Sequence, residues 1–197
     1  MPDRRDFLIG LIAMILSTKG GPRTTNVSTI FKRDDNGWGS IWFHIARSNP
    51  QNAAFETEED SLIVFHGPHG YISPNWYTTN NAVPTWNFAV VHAKGKPKRI
   101  DNDEAFATNL KDLVAENEGH YGGGDVWDFN KLPDSYLKGM RQGIVAYEMK
   151  IEAVEGKFKL GHDRSEADRN GVLKGFEKKQ QRTILDLTRD YYSRRKA

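Results

Sequence analysis

Val145, Tyr147, Met149, Ile151 and Ala153 alternate with Ala146, Glu148, Lys150 and Glu152. A strict period of two cannot be seated on a helix, whose side chains repeat every 3.6 residues. It reads as a strand with one face in a core and one face wet. Most of the chain before it has the same character in shorter pieces. Ile12–Ser17, Thr24–Phe31, Gly39–Ile45, Leu62–His66 and Thr85–His92 are β-branched or apolar runs, and Lys94–Ile100 extends the last one past Gly95. Turn chemistry separates them, at Gly20-Gly21-Pro22 and Arg33-Asp34-Asp35-Asn36-Gly37. Close-set short strands with this punctuation predict a barrel or sandwich.

Helices flank the strands. Asp103 is placed to cap one that carries Phe106, Leu110, Leu113 and Val114 on one face and stops at Gly119, before a loose Gly122-Gly123-Gly124 loop. Pro133 opens a shorter one that runs to Met140. Ser165-Glu-Ala-Asp168 has the spacing of a capping box, with Asp standing where Glu is usual. Beyond it the chain is helical and basic. Leu173, Phe176, Ile184, Leu187 and Tyr191 form one apolar stripe, interrupted at Gln180.

Composition excludes several classes. With no cysteine there is no disulfide framework and no Cys-ligated zinc or iron–sulfur cluster. The net charge of +2 hides an uneven distribution. From Lys174 onward there are eight basic and three acidic residues, so that segment carries +5 and the rest of the chain −3. Arg4-Arg5 precedes an apolar run, Leu8–Leu16, that is too short to span a bilayer. It reads as a short helix entering the first strand, with Gly20-Gly21 as a hairpin turn. A cytoplasmic protein is the expectation.

Four clusters carry candidate chemistry. His66-Gly-Pro-His69-Gly-Tyr-Ile-Ser73-Pro-Asn-Trp-Tyr77 reads as a tight loop whose glycines let backbone approach a ligand. His66 and His69 have no nearby carboxylate and no helix to share, so no metal site is expected there. Trp86-Asn87 sets an aromatic surface beside an amide, which suits a planar heteroaromatic ring. His44-Ile-Ala-Arg47-Ser-Asn49-Pro-Gln51 puts a guanidinium and short polar side chains at a strand end, which suits a phosphate. Lys159, His162 and Arg164 gather cations before the last helical segment. Serine-nucleophile elbows, Walker-type loops, dinucleotide fingerprints and zincin motifs do not occur.

In this order, the motifs resemble the PaiB family of FMN-binding negative transcriptional regulators, over residues from about Ile12 to Gly175. The resemblance implies a mostly β fold with flanking helices, an FMN-binding split β-barrel that is homodimeric, with the flavin at the subunit interface. It also implies two parts: residues 1–176 as the FMN-binding domain and 177–197 as a basic helical extension. Carried onto this chain, the phosphate end is His44, Arg47 and Asn49. The ring and ribityl chain lie along Asn26, Val27 and Ser28, with Ser73 nearby, and the partner subunit supplies Trp86, Asn87, Lys159 and Arg164. This chain departs from the family pattern at Asn26-Val27-Ser28, where relatives usually have His-Leu-Pro, at His66, and at Leu160-Gly-His-Asp-Arg164. Two other readings stay open: a haem-binding or haem-degrading split barrel, and a flavin-dependent oxidoreductase. DNA contact through the basic C-terminal helix is compatible with any of them.

Overall fold

A computed structural model describes residues 12–17, 22–35, 37–57, 59–79, 81–123 and 127–194. The expected Gly20-Gly21 turn, the helix before Ile12 and Gly124 of the Gly122-Gly123-Gly124 loop lie outside these residues. The strands are β1 (Ile12–Ser17), β2 (Arg23–Lys32), β3 (Ser40–Ala46), β4 (Ser61–Ile72), β5 (Thr85–Gly95), β6 (Pro97–Arg99), β7 (Ile144–Lys150) and β8 (Ala153–Lys159). The helices are α1 (Asn52–Phe55), α2 (Asp103–Tyr121), α3 (Asp134–Gly143), α4 (Glu166–Lys178) and α5 (Arg182–Arg194). The strands hydrogen-bond in the order β6-β7-β3-β2-β1-β4-β5-β8. The described residues form two compact units, one from Arg5–Phe65 and His92–Glu155, the other from His66–Val91 and Gly156–Ala197.

In the first unit the antiparallel pairs Thr29↔Phe43 and Phe43↔Tyr147 fix the register. One sheet face buries Ala13, Ile15, Val27, Ile41, Phe43, Ile45, Tyr147 and Met149. Phe55 of α1 meets Phe43 edge-on at 5.9 Å and Tyr147 edge-on at 5.0 Å, a favoured aromatic geometry. The opposite face, at Trp42 and Ala146, is covered by Phe106 and Leu110 of α2. The alternation read at 145–153 is therefore wet only in part, because Ala146 is buried under a helix. Lys32 Nζ lies 3.8 Å from the Trp42 ring and 3.0 Å from the Asp112 carboxylate. The cap of α2 is Asn102, not Asp103: its side chain accepts from Ala105 N–H at 2.8 Å. The helix also passes Gly119 and ends at Tyr121.

In the second unit Ile72, Leu160, Val172, Phe176, Ile184, Leu185 and Tyr191 form one core. The C-terminal stripe is split as the sequence indicates. Gln180 takes φ 56° between α4 and α5, so both helices can turn apolar faces inward. The region read as a loop after His66 instead continues β4 to Ile72. Gly70 makes this possible: an added Cβ would lie 2.7 Å from Phe176 and 2.8 Å from Gln181 Oε1. β8 was not foreseen. Its Lys157 and Lys159 alternate with half-buried Val154 and Phe158, the charged patterning of an edge strand.

Gly175 of α4 is covered by the Trp76 indole, and a methyl there would overlap the ring. Gly119 of α2 has open space. Gly119→Ala is expected to leave stability unchanged or raise it by up to about 1 kcal/mol through helix propensity. Gly175→Ala is expected to lower it by about 1–3 kcal/mol despite the same propensity gain. Thermal unfolding of the two variants side by side tests this, and equal midpoints would show that Trp76 does not pack there.

Candidate functional site

In the first unit, cross-strand pairing places Ile30 opposite Trp42, and side chains alternate along each strand. Ser28 and Asn26 therefore share a face with His44, while Val27 points into the core. Asn26 and Ser28 are exposed. His44 is largely buried, and its Nδ1 has no hydrogen-bond partner. Burial pushes the imidazole below its ordinary pKa, so it is neutral near pH 7.

Arg47 has a structural task. Its Nε donates to Gln142 O at 2.8 Å, and its Nη2 donates to Arg141 O at 2.7 Å and Ile144 O at 3.1 Å. The guanidinium thus caps the carbonyl end of α3, where orphan acceptors and the helix dipole favour a cation. Asn49 is committed at both ends of its amide, donating to Thr25 Oγ1 at 2.9 Å and accepting from Gln51 N–H at 2.9 Å. Asn52 holds the same turn: its amide donates to the carbonyls of Ala46, Arg47 and Asn49, and its oxygen accepts from the Tyr147 hydroxyl at 2.7 Å. Burial, the largest cause, pushes that hydroxyl up to about 12, so it stays a donor.

A depression of about 440 Å³ opens beside this turn, lined by Arg23, Thr24, Thr25, Ser48, Asn49 and Pro50 with Ala46. Arg23 makes no ion pair with a carboxylate among the described residues. The sequence reading missed Arg23. Its signal is the polar Arg23-Thr24-Thr25-Asn26 opening of β2, which the apolar run read there did not need.

In the second unit, a cavity of about 240 Å³ gathers Asn87, Lys159 and Arg164 together with Tyr77, Thr85 and His162. Lys159 donates to Thr85 Oγ1 at 2.6 Å. The Arg164 guanidinium lies 4.9 Å from the Tyr77 ring centre, a cation–π contact. Trp86 does not share this cavity. One residue before Asn87 on the same strand, it faces the other side, 52% exposed, with Tyr71 edge-on at 5.7 Å. Ser73 lies apart from Lys159 and Arg164, beside Trp76 and Lys179. On the basic helix, Arg189 and Arg194 pair with Glu177 and Asp190, while Lys174, Lys178, Lys179 and Arg182 have no carboxylate partner among the described residues.

Asp168 anchors the segment after Trp76. Its carboxylate accepts from the hydroxyls and backbone N–H groups of both Thr78 and Thr79. It does not reach back to cap Ser165; Ser165 instead accepts from Asp168 N–H. The Thr79 hydroxyl bond is the largest cause holding this carboxyl well below its usual range, with the Thr78 hydroxyl and the two N–H groups adding to it.

The sequence matches the family model described as "Putative FMN-binding domain" over residues 8–153. It is 37% identical over 161 residues to "Protease synthase and sporulation protein PAI 2" of Bacillus subtilis, covering 81% of this chain and 75% of that protein. The fold is similar to the flavocytochrome Anf3 of Azotobacter vinelandii, with TM-score 0.58, 16% identity and coverage of 86% and 73% of the two chains. It is also similar to the FAD and haem binding protein of Mycobacterium smegmatis, with TM-score 0.56, 15% identity and coverage of 84% and 74%. These likenesses show the expected mostly β, split-barrel fold with flanking helices.

A carboxyl depressed on folding adds stability above its unfolded pKa and loses that contribution as pH falls toward the folded value. Stability should therefore drop as the pH is taken below about 4. Asp168→Asn should be less stable at neutral pH and show a shallower acid dependence. Urea midpoints against pH measure both, and parallel curves would remove Asp168 from this role.

Proposed function

The chain belongs to this FMN-binding domain family, and from that premise we propose that it is an FMN-binding homodimer of regulatory type, acting in the cytoplasm. The depression at the β2–β3 end carries the reading. A phosphate dianion needs a fixed cation and short donors, and Arg23, Thr24 and Ser48 offer a guanidinium and two hydroxyls in one place. The fit extends along the strands: Asn26, Ser28 and neutral His44 form a polar, uncharged face, and His44 Nδ1 has an unspent hydrogen-bond valence.

In this reading Arg23 replaces Arg47 as the principal phosphate cation. Arg47 and Asn49 become positioning residues, because the donors of one and the amide of the other are spent on the turn and on α3. Asn26 and Ser28 would meet the ribityl chain and ring edge. The partner subunit's surface would complete the site with the group around Asn87, Lys159 and Arg164. When bound, the flavin supplies reversible electron transfer. Lys159 and Arg164 would then favour negative charge on the ring beside them, and Asn87 would orient its polar edge.

Membership of the family and its relation to the sporulation protein support a regulatory role over a haem enzyme. Among the described residues no helix is long and apolar enough to cross a membrane. DNA contact in this reading falls to the unpaired cations around the α4–α5 corner, since the outer arginines of α5 are already matched by carboxylates.

Purified protein should show flavin absorption, release a pigment with the mass of FMN and sediment as a dimer. Arg23→Ala should weaken FMN binding by about tenfold or more, the value of a charge-assisted bond, and riboflavin binding much less. Calorimetric titration of both ligands measures this. A Soret band without flavin would replace this reading with the haem one. Equal FMN affinity in wild type and Arg23→Ala would place the phosphate elsewhere.

A further inference from the structure

Every residue of the turn 159–164, which joins β8 to α4, lines the cavity that holds Asn87. Within the turn, Arg164 N–H donates to Gly161 O at 3.2 Å, and Gly161 takes φ 68°. Further support comes from the far end of the chain, helix α5. Leu160 is the first residue past β8, and its carbonyl oxygen needs a donor beyond the strand. The Tyr192 hydroxyl donates to it. That hydroxyl oxygen also stands 3.6 Å from where a Cβ of Gly161 would sit, with Arg164 Cγ at 3.7 Å and Asn87 Nδ2 at 4.0 Å from the same point. Two cavity residues and the Tyr192 hydroxyl thus converge on one glycine of the turn.

Tyr192 is itself held. The Arg169 guanidinium lies 5.3 Å from its ring centre. Burial, the largest cause, pushes its hydroxyl up to about 12, so it stays a donor across the neutral range. Its neighbour Tyr191 is buried, stacks on Phe158 of β8 at 6.5 Å and meets His162 of the turn at 6.1 Å. Successive helical residues project about 100° apart, so the adjacent tyrosines reach different parts of the same turn. We propose that Tyr192 is a positioning residue: through Leu160 and Gly161 it sets where Lys159 and Arg164 stand in the cavity. The proposal rests on the flavin reading, in which those two cations favour negative charge on the ring. It also gives the last helix a task in the site, although the sequence reads 177–197 as an extension.

Tyr192→Phe removes one hydroxyl and keeps the ring. Thr188→Val is the control, removing from the same helix a hydroxyl that is spent on Ile184 O. In the full-length protein as purified, hydrogen exchange at residues 161–164 should quicken severalfold in Tyr192→Phe and keep the wild-type rate in Thr188→Val. Tyr192→Phe should weaken FMN binding about threefold to tenfold, the range of one neutral hydrogen bond. It should also lower the reduction potential of the bound flavin, because the cations that favour negative charge are less well held. In an Arg164→Ala background the same change should cost less than in wild type, since the two residues act together. Unchanged exchange in Tyr192→Phe overturns the proposal. So does faster exchange with FMN affinity and potential unchanged, the mark of a merely structural tyrosine, and so do equal effects in Thr188→Val. Each of these leaves the flavin reading standing. A wild type that binds no flavin sinks that reading instead; exchange then decides the positioning role alone, faster in Tyr192→Phe upholding it and the wild-type rate overturning it.

Discussion

The carbonyl oxygens of Ala46, Arg47 and Asn49 converge on one side-chain amide, that of Asn52. The turn after β3 leaves these acceptors without strand partners, and a buried or half-buried carbonyl needs a donor. Asn52 can serve them because its own oxygen is fixed by the Tyr147 hydroxyl, and Tyr147 is wedged between Phe43 and Phe55. Core packing is thereby converted into the shape of a surface turn. Gln51 extends the same logic, accepting from Thr25 Oγ1 and donating to the carbonyls of Ile15 and Arg23. The strand end that carries Arg23 and the turn that carries Ser48 are tied together by this amide network, and their relative position follows from it.

Strand existence was legible because period two and turn residues are local signals. β1, β2 and β3 fall within a residue or so of their expected bounds, and β7 begins one residue before Val145. The misses have one cause in common: a distant partner decided the outcome. Gly67, Pro68 and Gly70 look like a loop until Phe176 and Ile184 are seen to need a bare Gly70 on a strand. β8 looks like a polar connection until β5 supplies its ladder. Asp168 has capping-box spacing, yet four donors from Thr78 and Thr79 outbid a single backbone N–H.

The site residues divide by the same rule. His44, Asn26 and Ser28 share a face because strand geometry is predictable from sequence once the pairing is known. Asn87, Lys159 and Arg164 come together although Asn87 lies more than seventy residues from the other two. Arg47 was the most phosphate-like residue in the sequence. Its assignment turned on where α3 ends, because a guanidinium that already satisfies two carbonyls of the last turn of α3 and that of Ile144 at the start of β7 has little left to offer an anion. Residue type alone cannot distinguish a ligand from a cap, since both roles call for the same fork of donors.

Electrostatics sharpens the contrast between Arg23 and its neighbours. Burial keeps His44 neutral, so His44, Asn26 and Ser28 together offer hydrogen-bonding capacity without charge. Arg23 stands at one end of this stretch, beside the depression, and Lys32 at the other is paired with Asp112 over Trp42. A ligand matched to that surface must be polar and uncharged along most of its length and anionic at one end. Asparagine at position 26 keeps the surface in that class, since its amide offers both a donor and an acceptor without charge. A cation at position 26 would break the match by spreading positive charge along the face. The net charge of the chain is silent on this point; the placement of one guanidinium, unpaired among the described residues, at the end of the uncharged Asn26, Ser28 and His44 stretch is what gives the site a direction.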